Sequence, residues 1–159
     1  MIEQESGAEP REWEKERPQP VSLVKDMLFV VDLLVHAGAG EIELQLRATP
    51  FVIADRWLVR RFLLRALLPL LPPEPGPGKL SITVTNESSA GVIRATHPSR
   101  LHVSWSEPTK LARELGGDLD VESSPERGTA VTIRVPLAAM RLPRKESSCA
   151  TSDRTSHCA

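Results

Sequence analysis

Cysteine is scarce in this chain: it has two, Cys149 and Cys158, and both lie in a polar C-terminal stretch. Their spacing suits neither a disulfide framework nor a zinc site. No apolar run approaches the roughly 18 residues that a membrane span requires. No basic-then-apolar signal opens the chain, so a cytoplasmic protein is the expectation. A dominant charge is lacking too. Twenty Lys and Arg against 21 Asp and Glu leave a net charge of -1, which makes no electrostatic case for nucleic acid or an anionic membrane as partner. There is no internal repeat. What is present is a chain of 159 residues, 40% hydrophobic and 26% charged, the composition of about one ordinary globular domain.

Residues 1–19 read as a disordered acidic leader, with six glutamates against two arginines and one lysine, and Trp13 as the one large apolar side chain. A first helix is expected over 20–37, with Ser22 or Pro20 marking its start. Leu23, Val24, Met27, Leu28, Val31, Leu34 and Val35 recur at three- and four-residue steps, and Gly38-Ala39-Gly40 stops the run. Val30 and Leu33 widen its apolar surface beyond one stripe, so the helix is buried over much of its circumference or meets a partner, with Met27 and Phe29 as candidate contacts. His36 in its last turn has the place of a macrodipole partner. A phosphoacceptor would sit exposed in mid-helix.

Alternation of Ile42, Leu44 and Leu46 with polar residues predicts a strand over 41–48, and 51–55 reads as a short buried strand. A second helix follows over 56–71. Leu58, Phe62, Leu63, Ala66, Leu67 and Leu70 form its core stripe, Arg56, Arg60, Arg61 and Arg65 lie off it, and Pro69 bends or ends it. The run PPEPGPG over 72–78 is a loop. A hairpin is expected from 79–85 and 91–96, then an extended stretch over 101–105, and a helix with Ser106 as cap and Pro108 in its first turn. Residues 139–159 are expected to be a disordered tail.

The stretch 110–137, KLARELGGDLDVESSPERGTAVTIRVPL, is the most informative. Leu111, Ala112 and Leu115 keep helical spacing up to Gly116-Gly117. Leu119 and Val121, then Val131, Ile133 and Val135, alternate as two half-buried strands around a turn at 125–128. This order resembles the end of the ATP-binding domain of sensor histidine kinases, the GHKL or Bergerat ATPases that include gyrase, Hsp90 and MutL. The matching residues are Gly116, Gly117, Ser123 or Ser124, Pro125, Gly128, Thr129 and Val135-Pro136. The resemblance extends over 21–137, within a domain of residues 20–138. It implies an α/β (α+β) two-layer sandwich in which about three helices cover one face of a mixed sheet. Asp55 is similar to the aspartate that opens the helix carrying the nucleotide and metal ligands.

Against that family the chemistry is missing. The family places asparagines ten and fourteen residues after the aspartate, the first on the magnesium that bridges the triphosphate. Those positions hold Arg65 and Pro69. Magnesium takes hard oxygen ligands; a guanidinium has no lone pair to give, and proline has no polar side chain. The Asp-x-Gly-x-Gly turn that meets adenine is replaced by ATHPSR over 95–100. The glycine-rich lid is replaced by about ten residues without glycine. Only Gly128-Thr129 survives, and a turn that keeps the fold accounts for it.

The resemblance with these losses implies a non-catalytic histidine-kinase-like ATPase fold acting as a protein-binding module in two-component or phosphorelay signalling, with no ATP and no magnesium as cofactor. Its expected partner is a receiver domain, a histidine kinase or another copy of itself, with Arg56, Arg60 and Arg61 as a basic face. Asp55, Arg65, Gly128 and Thr129 would be the vestige of the nucleotide site. Two alternatives stay open: metal-independent ATP binding in which Arg65 neutralises phosphates, and phosphotransfer through His36.

Overall fold

The computed structural model describes residues 17–71 and 78–138. Most of the acidic leader with Trp13, most of the 72–78 loop and the tail with Cys149 and Cys158 lie outside the described residues. The elements run β1 (Gln19–Ser22), α1 (Leu23–His36), β2 (Ile42–Leu46), β3 (Phe51–Ala54), α2 (Arg56–Leu67), β4 (Leu80–Glu87), β5 (Ala90–His97), α3 (Ser106–Glu114), β6 (Asp118–Ser124) and β7 (Gly128–Pro136). One 3-10 turn, Leu68–Leu70, prolongs α2 and contains Pro69, which is where the proline was expected to end the helix.

Five strands form a mixed sheet in the order β2-β4-β5-β7-β6, and β1 and β3 pair separately. Among the described strands only β2 and β4 pair in parallel. Strand alternation sets the inner face. Val84, Ile93, Ile133 and Leu119 make one cross-strand row, and Ile82, Ala95, Val131 and Val121 the next. These rows belong to one core with Met27, Val30 and Leu34 of α1, Phe62, Leu63 and Ala66 of α2, and Leu111 and Ala112 of α3. The opposite face presents Thr83, Arg94, Thr132 and Arg134, none of them buried. The arrangement is the two-layer sandwich expected, with three helices on one face of a mixed sheet. Among the described residues no helix is long and apolar enough to cross a membrane.

Four expectations change in detail. The first helix starts at Leu23 rather than at residue 20, because 19–22 pair with β3, Pro20 opposite Ile53. A proline is tolerated in such a short edge pairing. Ser22 is the helix cap, its hydroxyl accepting from the Lys25 amide at 3.3 Å. Residues 101–105 form no strand; the Leu101 amide donates to the Thr129 hydroxyl instead of to a ladder. In α2, Val59 is fully buried, while Leu58, expected in the core stripe, is half-buried. The cap of α3 is Trp105, and Ser106 is its first residue.

Candidate functional site

Asp55 caps α2: its Oδ1 accepts from the Trp57 amide at 2.8 Å, which satisfies one of the four amides a helix start leaves bare. Arg65 lies in the last turn of the same helix. Ten residues of helix separate the two by about 15 Å. Arg65 and Arg61 both turn toward α3, each with a guanidinium nitrogen 3.6 Å from Glu107 Oε1. All three side chains are about half exposed, so each pair contributes at most about 1 kcal/mol. The effect is on occupancy. The position ten residues after Asp55 carries a cation already engaged across the α2–α3 gap. That gap is an open groove of about 530 Å³ lined by Arg61, Ser106, Glu107, Lys110, Leu111 and Glu114. Pro69 sits in the 3-10 turn.

Gly128 and Thr129 have structural work. Gly128 has φ +76°, and a Cβ there would lie 2.1 Å from the His97 carbonyl oxygen, so the chains approach as only glycine allows. The buried Thr129 hydroxyl donates to the Ser99 carbonyl at 3.0 Å and accepts from the Leu101 amide at 3.0 Å, and Ser123 Oγ lies 3.0 Å away. With its proton on Ser99, it takes the Ser123 proton as well, so one donor and two lone pairs are all used. The hydroxyl pins the 97–101 segment to β7. His97, at the start of that segment, is buried and accepts the Ser99 amide at Nδ1. Burial pushes its ring below the ordinary histidine value, so it is neutral at pH 7 with its proton on Nε2.

The residues proposed for partner contact divide. Met27 is fully buried against the core, so it is withdrawn from the partner-facing set: the inner face of α1 claims it. Arg56 is exposed at the start of α2. Phe29, Arg60, Arg61 and Arg65 come together on an open trough of about 570 Å³ between α1 and α2. Arg60 is held there by Asp26, with Nε 2.9 Å from Oδ1 and side chains 23% and 4% exposed respectively. Its guanidinium lies 3.9 Å from the Phe29 ring centre and 5.6 Å from that of Trp57, cation–π distances. Arg60 is thus an internal ion pair more than a free basic side chain. His36 is exposed, and its Nδ1 donates to the Asp32 carbonyl at 2.8 Å, closing the end of α1.

The sequence reading missed Trp57, Leu64 and Leu68 of this trough and the Asp26 and Glu107 partners. For Asp26 a signal existed. It is an acid at the core-facing spacing of an otherwise apolar helix, and burial on that stripe demands a cation. For Glu107 there was none, since its partners are set by how α3 lies beside α2. Among the described residues no cluster of His, Cys, Asp and Glu could hold a metal ion.

The arrangement of sheet and helices has clear counterparts among solved structures. The mycobacterial sensor histidine kinase MprB superposes with TM-score 0.64 at 16% identity, over 76% of this chain and 98% of that one. The fold is that of a histidine-kinase ATP-binding domain. The ATP-binding domain of PrrB from Mycobacterium tuberculosis matches it with TM-score 0.63 at 14% identity, over 77% of this chain and 98% of that one. Histidine kinase ThkA, solved in complex with response regulator protein TrrA, matches with TM-score 0.65 at 15% identity over 79% of this chain, which spans 43% of ThkA. No protein-family model and no curated protein matches the sequence.

Proposed function

We propose that this histidine-kinase-like domain is a non-catalytic protein-binding module of two-component or phosphorelay signalling, bound to a receiver domain or a histidine kinase. The observation that carries the reading is the pairing of Arg65 with Glu107. Where the kinase fold needs an amide oxygen for magnesium, this chain has a cation, and its guanidinium already has a carboxylate across the gap. Phosphoryl transfer needs metal, phosphate cradle and positioning together. The surviving Gly128-Thr129 turn offers no cradle, since its hydroxyl is fully engaged. ThkA, which shares the fold, is solved bound to a response regulator, and a receiver-type partner follows that precedent.

Isothermal titration with ATP, once with magnesium and once with EDTA, tests the reading. No heat at millimolar ATP in either buffer is the expected result, together with no phosphate transferred to the chain from labelled ATP. Sub-millimolar binding with magnesium would overturn it. Binding in EDTA that Arg65→Ala abolishes would replace it with a metal-independent nucleotide site.

A further inference from the structure

The α1–α2 trough gathers exposed apolar side chains on one concavity. Phe29, Leu33, Trp57 and Leu68 form its lips and are each at least 40% exposed. Large apolar side chains gathered on one concavity mark an interaction site more than scattered surface residues do. The trough runs along α2 from Trp57 to Leu68, about 16 Å or three helical turns. Its rim is positive: α2 carries four arginines and no acid. Asp26 pairs with Arg60, Arg61 and Arg65 share the one carboxylate of Glu107, and Arg56 is exposed at the helix start.

We infer that this trough docks one helical segment of a partner protein, about three turns long, with an apolar stripe on one face and carboxylates on both sides of it. The stripe enters between Phe29 and Trp57 at one end and Leu33 and Leu68 at the other, at the i, i+4, i+7 spacing of helix-in-groove recognition. The carboxylates meet Arg61 and Arg65. The internal pair of Arg60 with Asp26 fixes the aromatic wall beforehand, so little ordering is left for binding to supply. A second copy fits poorly, because two such faces would set arginine against arginine. The chain's own first sixteen residues are acidic, but Trp13 is their one large aromatic anchor and Pro10 interrupts any long helix. A flat bilayer does not fill a concavity between two helices.

The inference rests on the binding-module reading and names the partner chemistry of one surface. The probe is a fluorescein-labelled model helix of about twelve residues, enough for three turns, with leucine at i, i+4 and i+7 and glutamate elsewhere; its twin carries lysine for glutamate. Fluorescence anisotropy with the full chain is expected to show saturable binding of the acidic peptide at least tenfold tighter than that of the basic one. Arg61→Glu with Arg65→Glu should reverse the preference, a gain that a misfolded variant cannot produce, and Leu33→Asp should weaken both peptides at least tenfold. Equal binding of the two peptides, or none of either, overturns the inference. So does a tenfold gain on deleting residues 1–16, which would make the leader the occupant, or a dimer in sedimentation that Leu33→Asp dissociates. ATP binding in the titration above would remove the module reading and leave the peptide result standing. Absent peptide binding without ATP binding would reject this surface alone.

Discussion

Removing Arg60 is the sharpest probe of how α1 and α2 hold together. Asp26 is 4% exposed, its Oδ1 has Arg60, and its Oδ2 has no partner among the described residues. Arg60→Met keeps an apolar stem and deletes the charge, leaving a carboxylate buried with both oxygens bare. Breaking a buried pair from one side costs about 3–5 kcal/mol. Arg60 is about a quarter exposed, so the low end applies, about 3 kcal/mol. Loss of the stacking on Phe29 at 3.9 Å adds about 0.5–1 kcal/mol. For a domain of this size the melting temperature falls by about 4 °C per kcal/mol, or about 14–16 °C in all. Asp26→Leu should cost less, because the long arginine can swing its head to water while the short carboxylate cannot. The double variant Asp26→Leu, Arg60→Met should return to within about 1 kcal/mol of the parent, since a well-packed apolar pair replaces a buried ion pair with little loss. Urea denaturation of the four proteins closes the double-mutant cycle. A loss below 1 kcal/mol for Arg60→Met, or a double variant that equals the sum of the singles, would refute the reasoning.

Two further outcomes are expected. Gly128→Ala drives a Cβ to 2.1 Å from the His97 carbonyl at φ +76°, whereas Gly38→Ala, at φ +89°, meets nothing within 4 Å; chemical denaturation should show about 1 kcal/mol lost at Gly38 for the left-handed backbone alone and about 3 kcal/mol or more at Gly128, where overpacking adds to it, and equal losses would contradict the close approach. His97 is held below its ordinary value by burial, so the unfolded chain takes its proton first: its contribution is complete above about pH 6.5, the unfolded value, and is lost as pH falls from there through the folded value. His97→Asn, whose Oδ1 can still accept the Ser99 amide, should flatten the urea midpoint between pH 7 and pH 5, and an unchanged slope would mean that His97 does not carry it.

Much of the architecture was legible because periodicity reports burial directly. The alternation in 80–84, 91–95, 119–121 and 131–135 became the inner face of the sheet; of the three-four spacing of α1, Leu23, Val24, Met27 and Leu34 became core, while Leu28 and Val35 are exposed and Val30 is buried in their place. What escaped has a physical reason. Residue 19 read as leader and 20–22 as the start of a helix, yet Val21 is buried opposite Val52 in a strand pair. Pairing with a strand thirty residues away outweighed local pattern. Residues 101–105 read as an extended stretch; they join no strand ladder, and the Leu101 amide goes to the buried Thr129 hydroxyl. For the candidate site the residue types at Asp55 and Arg65 could be read from spacing, but their engagements could not. Met27 keeps the three-four spacing and Phe29 departs from it, and the packing of α1 sends the first inward and the second out.

The strand order carries a consequence for assembly of the molecule. β4 with β5 and β6 with β7 are antiparallel hairpins, and β5 meets β7 antiparallel across the span that makes α3 and β6. β2 is different: it lies alongside β4 in parallel, Ile42 opposite Leu80, with α2 made in between. It cannot join the sheet until β4 exists to receive it, and closing so long a span is slow compared with forming a hairpin. A chain synthesised from its N-terminus therefore produces α1 and α2 before the surface that covers their inner stripes. Met27, Phe62 and Leu63 stay open to water, and to any protein that recognises unfolded apolar segments, until the C-terminal hairpins close over them.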